Sequence, residues 1–173
     1  PSFPALGDFT VASNTSTTQV AGEFTFGALQ LGNGSALTLV GPATLVFDSI
    51  NMAAGSELVV DASGGPVEIF VLNDFVMNSN TLISSTTQSP GDITINLDSN
   101  NVIDPDLVVD LDEIDFDSNA QLFGTLYAPN AYVAINSNFE LFGSLVAYSV
   151  HLDSNAKIHF DESLLSAGAG SAG

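Results

Sequence analysis

The chain has no cysteine, no tryptophan and no arginine, and its only lysine is Lys157. Without cysteine there is no disulfide framework and no thiolate metal site. With one basic side chain against 20 acidic ones, the formal charge is −19. Phosphate binding needs several Lys or Arg to release counterions, so nucleic acid is excluded as a partner. Anionic membranes and polyanionic sugars are disfavoured for the same reason. No apolar run approaches the ~20 residues of a membrane helix, so no membrane insertion is expected. No signal peptide is visible, and Pro1 is read as following a leader already cleaved or trimmed away. Charged residues make up only 12% of the chain. The imbalance therefore reflects missing Lys and Arg rather than the acid excess of a halophilic protein.

What is present is a repeat. "DSNAQLFG" at 117–124 returns as "NSNFELFG" at 136–143 and as "DSNAKIHF" at 153–160. Ser-Asn falls at 79–80, 99–100, 118–119, 137–138 and 154–155, with "GNGS" and "AAGS" at similar spacing before them. A period near 20 residues is the mark of a solenoid. Before each turn stand two alternating apolar residues, such as Phe75 and Met77, Ile114 and Phe116, Val133 and Ile135. After it comes a second short apolar stretch, such as Leu122, Leu141 or Ile158 with Phe160. Period-two alternation signals strands, and no helical stripe emerges.

Each repeat thus reads as strand, tight turn, strand, corner. The fold class is all-β: a single-stranded right-handed parallel β-helix, a β-solenoid of about 7–8 coils of roughly 17–23 residues. The domain covers 1–165, with 1–23 as an irregular N-terminal cap or entry, and 166–173 as a flexible Gly/Ala/Ser tail. Residues 84–92, "SSTTQSPGD", read as a loop that breaks the coil. Gly41, Gly124 and Gly143 fit corners. Asn119, Asn138 and Asn155 should form a structural ladder at one turn, because Asn tolerates left-handed backbone angles. Ile135 should point inward between Phe116 and Leu152, and Phe123 should stack over Phe142 as packing.

The last third carries a family resemblance. "GTLYAPNAYV" (124–133), "FGSLVAYSV" (142–150) and "SNAKIHFDESL" (154–164) follow the string "GxxYAPNAxVxxxGNAxxxGxxVxxxVxxxGNAxxHYDExL". "GPATLVF" and "GPVEIFV" resemble its earlier coils. The chain is similar to an uncharacterised parallel β-helix repeat domain of bacterial cell-surface and type IV pilus-assembly-associated proteins. It departs in writing Ser-Asn for Gly-Asn and Phe160 for Tyr. The resemblance implies an extracellular, cell-surface location and an architecture; it implies no catalytic residues.

Candidate chemistry centres on the acids. Eight of the 20 lie in 98–117. Asp98, Asp110, Asp112, Asp115 and Asp117 are the candidate metal ligands, for calcium, which takes hard oxygen donors. Asp98 and Asp117 each precede a Ser-Asn, which places them as equivalent residues on neighbouring coils, where two carboxylates repel unless a proton or cation intervenes. The segment matches no known calcium loop, so a solvated acidic face is the bland alternative, with no cofactor at all. His151 and His159 read as surface residues of the last coil, and Lys157 should pair with Glu140.

The functional expectation is a non-catalytic, secreted structural or adhesive β-solenoid module at a bacterial cell surface, and not an enzyme. Its partners would be other cell-surface or filament components, including copies of itself stacked head-to-tail through open ends. A calcium-dependent carbohydrate-binding module for neutral glycans is the main alternative. A glycoside hydrolase using paired carboxylates, and an ice-binding protein, stand behind it. The threonines cluster in "SNTSTTQV" and "SSTTQS", which read as loops, and not at the coil period that ice binding needs.

Overall fold

The computed structural model describes residues 6–98 and 114–162, and Leu164. Among the described residues there are fourteen strands: β1 (Phe9–Val11), β2 (Ser16–Gln19), β3 (Gly22–Leu31), β4 (Ala36–Val40), β5 (Ala43–Met52), β6 (Glu57–Asp61), β7 (Val67–Val71), β8 (Phe75–Met77), β9 (Leu82–Ser85), β10 (Ile93–Leu97), β11 (Ile114–Phe116), β12 (Gln121–Ile135), β13 (Glu140–Leu152) and β14 (Lys157–Phe160). Every pairing is parallel and joins one coil to the next. The chain is a parallel β-solenoid of about seven coils.

The register resolves three faces. The first runs into the turn: β1, the ends of β3 and β5, β8, β11, and the ends of β12 and β13. The second leaves the turn: β2, β4, β6, β9, the starts of β12 and β13, and β14. The third closes the coil: the starts of β3 and β5, β7, β10, and the middles of β12 and β13. Alternate residues point inward, so each apolar position stacks on its counterpart one coil away. Leu37, Leu58, Ile83, Leu122 and Leu141 form one such buried row. Phe116, Ile135 and Leu152 form another, with Ile135 buried between its two neighbours.

Several details differ from the reading of the sequence. The stretch 1–23 is not irregular throughout: β1 and β2 form a first coil in register with β3 and β4. The threonines of "SNTSTTQV" therefore lie partly in a strand, β2, rather than in a loop. Likewise Ser84 and Ser85 end β9, and a short 3-10 turn at Pro90–Asp92 leads into β10. Residues 86–92, between β9 and β10, form the coil-breaking loop read there. At the corner between second and third faces Gly143 has φ +145, and a Cβ there would lie 2.0 Å from the Gly124 carbonyl oxygen. No side chain fits that approach.

Candidate functional site

The turn between first and second faces is the most repeated feature. Asn14, Asn80, Asn119, Asn138 and Asn155 all adopt φ between 58° and 61° there. Gly34 and Gly55 fill the same rung in the second and third coils, with φ 62° and 69°. The left-handed angle is tolerable to Asn and free to Gly, which explains the choice of residue. Each rung is tied to the next through the backbone. Asn80 N–H donates to Ser118 O (3.1 Å), Asn119 N–H to Ser137 O (3.2 Å) and Asn138 N–H to Ser154 O (3.1 Å). Asn155 Nδ2 also donates to Asn138 Oδ1 at 3.4 Å.

The ladder steps from Asn80 directly to Asn119, so the even spacing read through Ser99-Asn100 does not hold. Those two residues lie outside the described residues. The rung that sequence reasoning missed is Asn14. Its signal was the same Ser-Asn dipeptide at 13–14, hidden inside a stretch taken for a loop.

From Asn80 onward the residue two before each Asn carries the side-chain chemistry. Going up the stack it reads Asn78, Asp117, Asn136, Asp153, linked by Asp117 N–H to Met77 O, Asn136 N–H to Phe116 O, and Asp153 N–H to Ile135 O. Carboxylate and amide alternate, so no carboxylate lies directly over another. Ser79 Oγ donates to Asp117 Oδ2 (2.7 Å), and Ser118 N–H donates to Asp117 Oδ1 (2.7 Å). Ser137 Oγ and Ser154 N–H repeat this pattern at Asp153 (3.2 and 2.7 Å). The Ser79 hydroxyl, then the Ser118 amide, hold the Asp117 carboxyl below the usual carboxylate range. At Asp153 the Ser154 amide leads and the Ser137 hydroxyl follows, in the same direction.

Of the candidate metal ligands, the structure brings two together. Asp115 and Asp117 are neighbours across β11 and the turn. Burial, then the charge of Asp117, push the Asp115 carboxyl up, while Asn136 Nδ2, donating to Asp115 Oδ1 at 2.7 Å, draws it back. Asp98 is not the counterpart of Asp117. It follows β10 on the third face, where its N–H donates to Val71 O, whereas Asp117 follows β11 on the first. The reason is that β10 and β11 belong to different faces of the coil, so the two residues leave different strands. Asp110 and Asp112 lie outside the described residues. Among the described residues no three His, Asp or Glu side chains gather as a metal-binding group.

Outward on the second face, Phe123, Phe142 and His159 stack in a column, with ring centres 4.5 Å apart at both steps and planes 10° and 7° apart. The rings cover one another's faces. Phe142 is sandwiched, so it offers edges rather than an open face for a sugar ring. Beside it Lys157 Nζ donates to Glu140 Oε1 at 2.6 Å, which lowers the Glu140 carboxyl. A concavity opens at the corner of the second and third faces, among Pro42, Pro66 and Gly91, with Glu23 and Glu68 on its wall. Glu23, Thr44, Glu68 and Thr94 form one outward row there, so its carboxylates stand on alternate coils.

A family model for a domain of unknown function, DUF7305, matches residues 6–167. The chain belongs to the DUF7305 family. No curated protein and no solved structure matches it. The match in this DUF7305 chain spans all seven rungs, from Asn14 to Asn155, and thus the stacked unit rather than any one outer patch. Among the described residues no helix is long and apolar enough to cross a membrane.

Proposed function

We propose that this chain is a non-catalytic structural or adhesive module, secreted and held at a bacterial cell surface, where its coils form a stiff spacer between other surface components. The observation that carries this reading is the unbroken lateral pairing from β1 to β14. Hydrogen bonds run along the long axis at every rung, so bending the stack means breaking a ladder rather than opening a hinge. The near absence of Lys and Arg supports an exposed setting, since trypsin-like proteases have one site in the chain, Lys157. The resemblance of 124–164 to surface and pilus-associated domains points the same way. Immunogold labelling of intact cells that encode the chain tests it. Label on the outer face is the expected result; label that appears only after permeabilisation ends the reading.

A calcium-dependent module for neutral glycans is the second reading. It is favoured by the half-buried Asp115 beside Asp117, two carboxylates whose mutual repulsion a cation would relieve. A glycan array run in millimolar calcium and again in chelator is the test. Binding present only with calcium is expected, and an array blank in both conditions sinks it.

A further inference from the structure

Two stretches share a motif that neither the coil pattern nor the outer acids explain. Asn14-Thr15-Ser16 and Asn33-Gly34-Ser35 both read Asn-x-Ser with no proline between. Such a motif presents a side-chain amide to a glycan transferase, which also holds the hydroxyl two residues on. Both lie on the turn between first and second faces, in the first two coils, where Asn14 N–H donates to Asn33 O at 2.9 Å. The motif alone does not choose between them. The fold does, because an acceptor needs its amide and its hydroxyl reachable together.

At Asn14 both are reachable. Residues 12–18 are all exposed, Asn14 and Ser16 among them. The hydroxyl between them is already used, since Thr15 Oγ1 donates to Ala12 O at 2.7 Å. Among the described residues none takes up the Asn14 amide or the Ser16 hydroxyl in a side-chain hydrogen bond. The next rung is Gly34, which has no side chain to lay over Asn14; a Cβ there would come 3.0 Å from Asn14 Oδ1. At Asn33 the two halves of the motif part. Asn33 is exposed, but Ser35 is 1% exposed and its hydroxyl is buried. Backbone bonds pin that turn on both sides: Gly34 N–H to Ala54 O (3.1 Å), Ala36 N–H to Thr15 O (2.9 Å) and Glu57 N–H to Ser35 O (2.8 Å). Bringing the Ser35 hydroxyl out would mean breaking into three coils.

We propose that Asn14 is the acceptor of an N-linked glycan and that Asn33, in the folded chain, is not. The donor is a glycan carried on a lipid pyrophosphate. Asn14 Nδ2 attacks the anomeric carbon, and the C–O bond to the pyrophosphate breaks as the N–C bond forms. The amide gives up one of its two protons, the lipid pyrophosphate leaves, and nothing is oxidised or reduced. The sugar stands off the turn edge of the first coil, away from the core. The site is independent of the surface reading, which bears only on where the chain meets the donor.

The placing of the acids makes a clean test. Cleavage after Asp8, Glu23 and Asp48 puts Asn14 in a peptide of residues 9–23 and Asn33 in one of residues 24–48. The folded chain is incubated with a purified transferase that recognises Asn-x-Ser and its lipid-linked donor. Mass spectrometry should find the glycan on 9–23 and none on 24–48. Ser16→Ala should lower transfer about tenfold or more. It leaves the rung residue in place, so the loss cannot come from a misfolded turn. Asn33→Gln should leave transfer within about twofold of the parent chain. Chain taken from its own cells should carry sugar on the same peptide. No glycan on 9–23 in the purified reaction overturns the proposal, and so does glycan on 24–48 of the folded chain. Chain labelled on the outer face of cells but bare at Asn14 overturns it while the surface reading stands. Label confined to the cell interior ends the surface reading, and the purified reaction then decides the site.

Discussion

The first and last coils carry the same fold with opposite chemistry. In the first, the inward positions of β2 are Thr17 and Gln19; in the last, those of β14 are Ile158 and Phe160. A solenoid has no natural place to stop, because each coil buries its face only against a neighbour. On the second face the first coil turns these positions polar, while Phe9 and Val11 keep its first face apolar. The last described coil keeps the second-face positions apolar, with Ile158 and Phe160 exposed. The same substitution should therefore mean different things in the middle and at the ends of the stack.

The sharpest contrast lies in one row. Ile135 and Leu152 are paired neighbours, the first buried and the second half exposed. Ile135→Asp buries an unpaired charge and should cost about 3 kcal/mol or more. Leu152→Asp should cost under about 1 kcal/mol in the single chain. Chemical denaturation at low concentration compares them, and equal losses would break the distinction between middle and end.

The turn should grade the same way. Asn138→Val forces a β-branched residue to φ 61° and should destabilise by about 1–2 kcal/mol. Asn14→Val makes the same change in the first coil, where fraying already costs little, and should lose less. A larger loss at Asn14 would show that the N-terminal coil nucleates the stack.

Hydroxyls one residue past the rung offer a test with opposite signs. Ser35, Ser56 and Thr81 are buried with no hydrogen-bond partner, whereas Thr15 Oγ1 of the first coil donates to Ala12 O at 2.7 Å. Ser56→Ala removes an unsatisfied polar group and should be neutral or stabilise by up to about 1 kcal/mol, while Thr15→Ala should destabilise by about 0.5 kcal/mol. Thermal melts of the two variants decide it. A clear loss at Ser56 would mean its hydroxyl has a partner in solution.

The smallest effects belong to the carboxylates, and they depend on pH. Asp117 is held low, so its contribution is present above its unfolded value and is lost as pH falls through the lower folded value. Asp115 is pushed up, so its ionised form costs stability above the raised value, and acid relieves that cost. At neutral pH, Asp117→Asn should lower stability by about 0.5 kcal/mol, a figure kept small by solvent screening. Asp115→Asn should raise the melting temperature. The Asp115→Asn gain should fade as pH drops into the acid range, and the Asp117→Asn deficit should fade lower still. At the fully exposed Asp153, Asp153→Asn should show the Asp117 behaviour more weakly. Melting curves from pH 7 to pH 3 read all three.

Alternating apolar residues around a recurring Ser-Asn are enough to dictate parallel coils. Period-two patterning assigns one side of each strand to the interior, and Asn accepts the left-handed angle that the tight turn demands. The residues of the Asn119, Asn138 and Asn155 rungs, the inward place of Ile135 and the Lys157–Glu140 pair were all readable from spacing alone, because in regular coils spacing is position. Where coil length changes, that equivalence ends. Asp98 and Asp117 look like counterparts in the sequence and stand on different faces, because lateral hydrogen bonds join whichever strands lie one spacing apart, however many residues separate them. Only the tertiary structure could decide that Asn80 is followed by Asn119, and that Asp117 at the turn rests between Asn78 and Asn136. It also decided which inward rows are closed by a neighbour and which run out into solvent, since burial belongs to the stack and not to the residue.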